Sequence, residues 1–411
     1  MPDFDIGIVG AGPAGSASAA LLARQGLSVA LIDRAQFPRD KVCGDGITPR
    51  GARALVRLGA FDAIRAVAQA HRGVTIRGGE ANSFTIPFER DPHNPSELLV
   101  LPRLVLDNLL LEHARRAGAT VFVGTKITDV DEPEQGPCAL IAADGSRISC
   151  QLAVLATGAE SQLLRRAKLL EDKPALEHAA RTYFEDVSGL DDNVTLFFDG
   201  VDMPGYGWIF PVSATSANIG CGVFDARGAR QAPRLKQLIT EHPLLRRLLR
   251  NARQVAPIMA YPLRTDFNPE FAGRSRRLCV GEAAGLVNPV TGEGIDYAFE
   301  SAEFLAAAVS ACWERGAQPG ARLAEHYRTA LARRFGLRFR LYRWIQRNCL
   351  SAHNTAAFLA KVEHSPMLQR CVVDGLFGRA RPRDLLRPGV LGPALSLALS
   401  RRARAPQVLA D

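Results

Sequence analysis

Residues 10–15 read Gly-Ala-Gly-Pro-Ala-Gly, directly after a run of strand character at 4–9 (FDIGIV) and at the head of an alanine-rich helical pattern from Pro13 to Gln25. A second apolar run, 27–33 (LSVALID), closes on Asp33. Strand, glycine turn, helix, strand and acid in that order define a βαβ unit. Gly10, Gly12 and Gly15 permit the tight turn, the close approach of a pyrophosphate and close packing of helix on strand. The helix N-terminus supplies amide donors for an anion, and a carboxylate at position 33 can accept from both hydroxyls of a ribose. A dinucleotide is therefore expected. A glycine turn without a ligand and a surface Asp form the bland alternative, which that full context disfavours.

With 411 residues the chain has room for two or three domains. Apolar residues at 47% and charged residues at 23% place it among globular proteins rather than disordered or collagenous ones. The Cys residues are scattered, without a CxxC or a close Cys/His pair, so neither a metal site nor a disulfide framework is expected, and the thiols suit a reducing cytoplasm. The N-terminus enters a strand at once, without the pattern of a secretory signal. No apolar run approaches the roughly 18 residues that span a bilayer. The net charge of +9 is a C-terminal property, since residues 321–411 carry 17 Arg/Lys against 5 Asp/Glu. No nucleic-acid partner is expected.

Thr48 and Pro49 look like the N-cap and first position of a helix running to about Leu58. Residues 104–117 repeat at helical spacing, TVFVGTKITDV reads as a strand, and Asp144-Gly145 reads as a hairpin turn between two more. From 166 to 270 β-like segments dominate; a strand near 280 and a helix from 294 to about 315 return to the first domain. The expected fold is α/β and α+β, a Rossmann-type domain with an inserted β-sheet substrate domain and a helical C-terminal region. The expected division is 1–80, 101–165 and 271–325 for the dinucleotide domain, an insertion at 81–100, a substrate domain at 166–270 and basic helices at 326–411.

NAD and FAD are not separated by the first fingerprint. Gly281-Glu282-Ala-Ala-Gly285, after a strand, looks like a second FAD fingerprint, in which an acid holds the ribityl chain. The segment 288–295 (NPVTGEGI) leads into a helix whose N-terminal dipole could face a flavin. An ordinary Gly-rich connection is the alternative for this stretch. The pair makes FAD the expected cofactor. No second GxGxxG appears, so the electron donor, NAD(P)H or a ferredoxin-like protein, is expected to dock transiently.

The segments 41–51 (KVCGDGITPRG), 205–211 (GYGWIFP) and 281–295 (GEAAGLVNPVTGEGI) resemble the geranylgeranyl reductase family of FAD-dependent oxidoreductases, with similarity over roughly residues 1–345. The wider group is similar in fold to p-hydroxybenzoate hydroxylase and also holds monooxygenases and halogenases. The resemblance implies flavin contacts at Ala14, Gly15, Asp33, Cys43, Gly44, Gly46, Arg103, Ile127, Glu282, Gly294 and Ile295, with Glu282 standing where Asp is usual. Arg103, ahead of a helix, would bond the cofactor or be a plain surface Arg, and Ile127 at a strand end would meet the adenine through its backbone. The Cys43 thiol would touch the isoalloxazine or merely pack. Tyr206, Trp208 and Phe210, with Pro211, resemble the family's YxWxFP signature and form either a wall for an apolar chain or a core stripe. Gly205 and Gly207 would leave room for a ligand. Thr157 replaces the acid that hydroxylases of the group often carry.

The implied activity is saturation of carbon-carbon double bonds in an isoprenoid or other apolar small molecule by hydride from reduced FAD, with Cys43, Tyr206, Trp208 and Phe210 at the reacting centre. An FAD-dependent hydroxylase or epoxidase is the competing reading, a halogenase a weaker one, and a non-catalytic flavoprotein the reading from another class. The sequence offers no Ser-His-Asp or paired-carboxylate constellation. Arg338, Arg340, Arg343 and Arg347, with Tyr342 and Trp344, suit either peripheral contact with an anionic membrane or a solvated helical face.

Overall fold

In the computed structural model the described residues are 2–376 except 80, 81, 90, 92, 173, 175 and 224–230. The apolar runs at the N-terminus become the parallel neighbours Phe4–Val9 and Val29–Ile32. They stand inside a sheet ordered Gly273–Arg274, Arg277–Cys279, Arg147–Leu155, Phe4–Val9, Val29–Ile32, Thr120–Phe122. Strands buried on both faces read as continuous apolar runs, and both N-terminal strands do. Ile6, Ile8, Leu31 and Ile32 are fully buried. The helix Pro13–Ala23 packs against Ile295–Trp313 and Arg103–Arg116. Its Ala and Ser residues are buried nearly all round, and their small side chains let three helices and the sheet converge on one loop.

The helix Pro49–Leu58 forms with Thr48 as its N-cap, whose Oγ1 accepts from the Arg50 amide at 3.2 Å, and Gly59 ends it at φ +75°. Asp144-Gly145 turns Cys138–Ala142 into Arg147–Leu155. TVFVGTKITDV is not one strand. Gly124, at φ +73°, breaks it into Thr120–Phe122 of the parallel sheet and Ile127–Asp131 of an antiparallel meander, so Ile127 opens a strand rather than ending one.

A second sheet runs Arg253–Gln254, Glu177–Glu185, Ala217–Val223, Gly205–Pro211, Val194–Phe197, Gly73–Gly79, Asn82–Pro87, with Met259–Leu263 on the other side of Glu177–Glu185. Its recruitment of Gly73–Gly79 departs from a boundary at 80, because this strand pairs in parallel with Val194–Phe197 as well as with its hairpin partner. A small third sheet ties Gly46–Ile47 and Gln69–His71 to Leu98–Val100.

The C-terminal helices do not form a separate basic unit. Ala321–Leu331, the wide helical turn Ala332–Gly336 and Leu337–Asn348 carry Tyr327, Phe335 and Phe339, respectively, into the core that holds the N-terminal strands. Ala352–Glu363 and Pro366–Leu376 lie on Gly73–Gly79 and Asn82–Pro87, burying Leu359, Val362, Leu368 and Val373. Arg338 and Tyr342 are buried and Arg343 donates to the Phe267 carbonyl at 3.0 Å, so this stretch is not a uniformly solvated basic face. Arg340, Trp344 and Arg347 are exposed. The Arg/Pro-rich tail from 377 lies outside the described residues. No described helix is long and apolar enough to cross a membrane.

Candidate active site

The three glycines of the first loop have different tasks. Gly10 takes φ +106°, and a Cβ there would stand 2.3 Å from the Ala156 carbonyl oxygen; one on Gly15 would stand 1.8 Å from the Gly10 oxygen. Both are consumed by the protein's own backbone. Gly12 is open: a Cβ there would come nearest the guanidinium nitrogens of Arg39, at 3.5 Å, and Arg103, at 3.9 Å. Helix amides below and two cations above make this gap an anion cradle. Asp33 is buried, with Oδ2 accepting from the Ala11 amide at 2.8 Å and Oδ1 from Ala35 at 2.9 Å, so it also holds the glycine loop in shape.

Two clefts meet at Gly10 and Asp33. One, of about 210 Å³, is lined by Ile32, Lys126, Ile127, Thr128, Thr157 and Arg166. The other, of about 190 Å³, holds Gly12, Ala14, Arg103, Glu282, Gly294 and Ile295. A ligand bent over the glycine loop would occupy both. The Arg103 guanidinium is held doubly by Asp107, at 2.6 and 2.7 Å, and Arg39 reaches the same carboxylate at 2.9 Å. Glu282 accepts from Lys41 at 2.9 Å and from the Arg264 amide at 3.2 Å. Gly281 is set behind the cleft, where a Cβ would meet the Ala14 methyl at 2.8 Å. Arg39, Lys41 and Asp107 are missing from the motif-based set. Asp107 stands four residues after Arg103 on the same helix, a spacing that could have found it, whereas Arg39 and Lys41 are turned toward the loop by the tertiary fold.

A third cavity, of about 360 Å³, opens on the far side of the loop 43–46. Its walls come from the second sheet (Ile76, Val194, Leu196) and the C-terminal helices (Ile345, Phe358, Leu368), and they are overwhelmingly apolar. Cys43, Gly44, Tyr206, Phe210, Gly294 and Ile295 line both this cavity and the 190 Å³ cleft, so they form the partition between them. Gly46 faces only the apolar side.

Tyr206, Trp208 and Phe210 do alternate on one face, with ring centroids 6.1 and 6.4 Å apart. They are not equivalent. Tyr206 donates to the Thr291 carbonyl and reaches the apolar cavity. Trp208 lies at the cleft, and its indole donates to Asn218 Oδ1 at 2.9 Å. Gly207 leaves no room for a ligand: a Cβ there would stand 2.0 Å from the Phe197 ring, and one on Gly205 would stand 2.3 Å from the Gly222 oxygen. Beneath the loop, Asn218 Nδ2 donates to the Cys43 carbonyl at 2.8 Å and to Asp45 Oδ2 at 2.7 Å, and Tyr183 donates to the same Asp45 oxygen at 2.6 Å. Burial pushes the Asp45 carboxyl up to about 6 against the pull of those donors, and burial also pushes the Cys43 thiol up. Asp45 and Asn218 escape sequence reasoning because buried polar residues carry no periodic signal.

Two clefts that meet at a buried acid and an open glycine cradle fit FAD, and the apolar cavity across a thin wall fits a substrate site: the molecule is an FAD-dependent oxidoreductase. A family model described as FAD binding domain matches residues 3–335. Similar curated proteins include a menaquinone reductase from Mycolicibacterium smegmatis, 33% identical over 83% of this chain and 86% of that protein. Another is digeranylgeranylglycerophospholipid reductase 1 from Methanosphaera stadtmanae, 28% identical over 72% of each. Among solved structures, a geranylgeranyl bacteriochlorophyll reductase-like protein from Thermoplasma acidophilum aligns with a TM-score of 0.77 at 20% identity, covering 94% of this chain and 99% of that one. A flavin-dependent brominase aligns at 0.74 and 19%, covering 98% and 100%, so the shape alone is shared by enzymes of different chemistry. The chain belongs to the FAD-binding-domain family.

Proposed function

We propose that the protein saturates carbon-carbon double bonds of an isoprenoid chain. The observation that carries this reading is the apolar cavity lying across the wall of Cys43, Gly44, Tyr206 and Phe210 from the cofactor cleft. The curated relatives' names, menaquinone reductase and digeranylgeranylglycerophospholipid reductase, both denote reductions of molecules that carry isoprenoid chains.

Gly12, Ala14 and Arg103 would hold the FAD pyrophosphate on the turn that Gly10 and Gly15 make possible, and Asp33 the adenosine ribose, with Ile127 beside the adenine. Glu282 would serve the ribityl chain, with Gly281 packed behind the cleft, and Cys43, Gly44, Gly294 and Ile295 would serve the ring, with Gly46 on the apolar side of the partition. Bound and reduced, FAD supplies a hydride. The protein's own contribution is orientation and dryness: Tyr206 and Phe210 pin the chain against the partition, and the cavity walls keep water from the reacting carbons. The aromatic pair is fixed by the Tyr206 to Thr291 bond and by Phe210 packing on Gly44 and Gly46. NAD(P)H or a ferredoxin-like protein would reduce the cofactor in a transient encounter, and the basic residues from 377 onward would touch anionic membrane where long-chain substrates reside.

The enzyme reduced by dithionite under strict anaerobiosis should add a pair of hydrogens per alkene to menaquinone with an unsaturated tail or to a digeranylgeranyl lipid, read by mass. A product that instead carries a new oxygen and forms only when air is admitted would replace this reading with a monooxygenase.

A further inference from the structure

Glu293 is the one carboxyl among the described residues lining the apolar cavity, and no Lys, Arg or His shares that lining. It stands between Gly292 and Gly294, which line the cofactor cleft as well. Behind it is a buried group of charges. Arg50 Nη2 donates to Glu293 Oε1 at 3.2 Å, and Arg50 Nε lies 3.4 Å from Asp296 Oδ2 and 3.5 Å from Glu300 Oε1. Glu300 is matched from its other side by Arg334, which donates to both its oxygens at 3.0 and 3.2 Å. Glu293 and Asp296 both lie against the Arg50 guanidinium, while Arg338 is buried on the Glu300 side. Asp296 is fully buried; its Oδ2 accepts the Thr48 hydroxyl, and its Oδ1 has no donor among the described residues.

Two carboxylates buried side by side repel each other, and one proton kept on the pair removes that cost. Hydrogen bonding places that proton on Glu293. Asp296 accepts the Thr48 hydroxyl and pairs electrostatically with Arg50, and the hydrogen bond between the Glu293 and Asp296 side chains needs a proton on one of them, which Glu293 carries. Burial and the neighbouring Asp296 and Glu300 carboxylates accordingly hold the Glu293 carboxyl well above its ordinary range, despite Arg50.

We propose that Glu293 is the proton donor of the reaction, delivering its carboxyl proton to one carbon of the substrate double bond as the other carbon receives hydride. This rests on the alkene-reductase reading above. The π electron pair forms the bond to the Glu293 proton, and the hydride pair from the reduced cofactor forms the second C–H bond. Glu293 is left as a carboxylate beside Arg50 and regains a proton from solvent. The other titratable groups facing the pair are Tyr297 on its own helix, Arg338 and Tyr342 on Leu337–Asn348, and Tyr206 on the second sheet. The Tyr206 hydroxyl is committed to Thr291, and its phenol and the Cys43 thiol are both raised by burial, which leaves Glu293 as the carboxyl that reaches the cavity.

Glu293→Gln keeps the shape and the bond from Arg50 but has no proton to give. In full-length FAD-loaded protein, reduced anaerobically and mixed with menaquinone bearing an unsaturated tail, single-turnover saturation should slow roughly 10²–10⁴-fold at unchanged FAD content. Turnover at the wild-type rate would overturn the proposal and leave the reductase reading standing. A second readout needs no turnover. At neutral pH and without substrate, the wild-type infrared spectrum should contain a protonated-carboxyl C=O band that shifts in D2O, fades as pH is raised and is missing from E293Q. Absence of the band from wild type, or its persistence in E293Q, overturns the proposal whatever the substrate does. Glu293→Asp, which keeps the acid beside Asp296 but withdraws it from the cavity, should retain the band and lose rate; an unchanged rate again refutes. A wild type that keeps the band yet saturates no prenyl chain removes the reductase reading and proton donation with it.

Discussion

Asp45 sits at φ +66° in the loop beneath the partition, fully buried, with Oδ1 accepting from the Arg103 amide at 3.3 Å and Oδ2 from Tyr183 and Asn218. Its carboxyl rises from an ordinary 3.8 to about 6, so the folded protein binds this proton more tightly than the unfolded chain. The associated stability is fully present below about pH 4 and is lost as pH rises through about 6. Asp45→Asn does not titrate at this position. Relative to wild type it should therefore gain up to about 3 kcal/mol between pH 4 and pH 7, and denaturant unfolding of both proteins at the two pH values checks this. A constant gap would show that Asp45 does not titrate there. Asp33 tests the other end of the site. Asp33→Ala removes the ribose acceptor and also the bonds from Ala11 and Ala35, so FAD affinity should fall by about 1–3 kcal/mol in a fluorescence titration. The glycine-turn motif pointed to Asp33 from the sequence; Asp45 stands in the segment 41–51 with no sequence sign that its carboxyl is buried.

The strand Gly205–Pro211 combines a legible and an illegible pattern. Alternation announces that its aromatics share a face, but it does not say what fills the opposite one, and that space belongs to Phe197 and the neighbouring strand rather than to a ligand. Gly207→Ala should therefore cost stability, about 1–3 kcal/mol from overpacking, with a lowered thermal midpoint as the measurement. Trp208→Phe keeps the ring but leaves Asn218 Oδ1 buried without its indole donor. Because Asn218 also holds the Cys43 carbonyl and Asp45, thermal stability and FAD retention should decline together, by about 1–3 kcal/mol in stability. Loss of prenyl turnover with both unchanged would instead make Trp208 a pure substrate contact.

Across the whole molecule, the chain leaves the nucleotide-binding half twice to build the second sheet and then returns, and its last described helices roof the cavity. The basic C-terminal region divides accordingly. Truncation after 330 removes Phe335 and Phe339 from the core of the N-terminal sheet, so it should yield insoluble or unfolded protein. Truncation after 376 leaves the described fold and should keep FAD. If the residues beyond 376 carry the membrane contact, flotation with anionic vesicles should be lost in this shorter chain and should weaken with salt in the full one. Binding that survives the truncation would move the contact to the folded surface.

The nucleotide-binding half was legible because its signals are local. A strand, a glycine turn and a helix N-terminus announce themselves within some thirty residues, and the second fingerprint separates FAD from NAD in the same way. The cavity was not legible, since its apolar walls come from strands and helices far apart in sequence, and each of them reads alone as ordinary core. The same holds for Glu293: the sequence shows it in a Gly-rich turn, and only the fold brings Thr48 and Arg50 from one helix start against Asp296 from another. A carboxyl's protonation state depends on the charges and donors packed around it, and that packing is set by contacts between distant segments, to which neither composition nor periodicity refers.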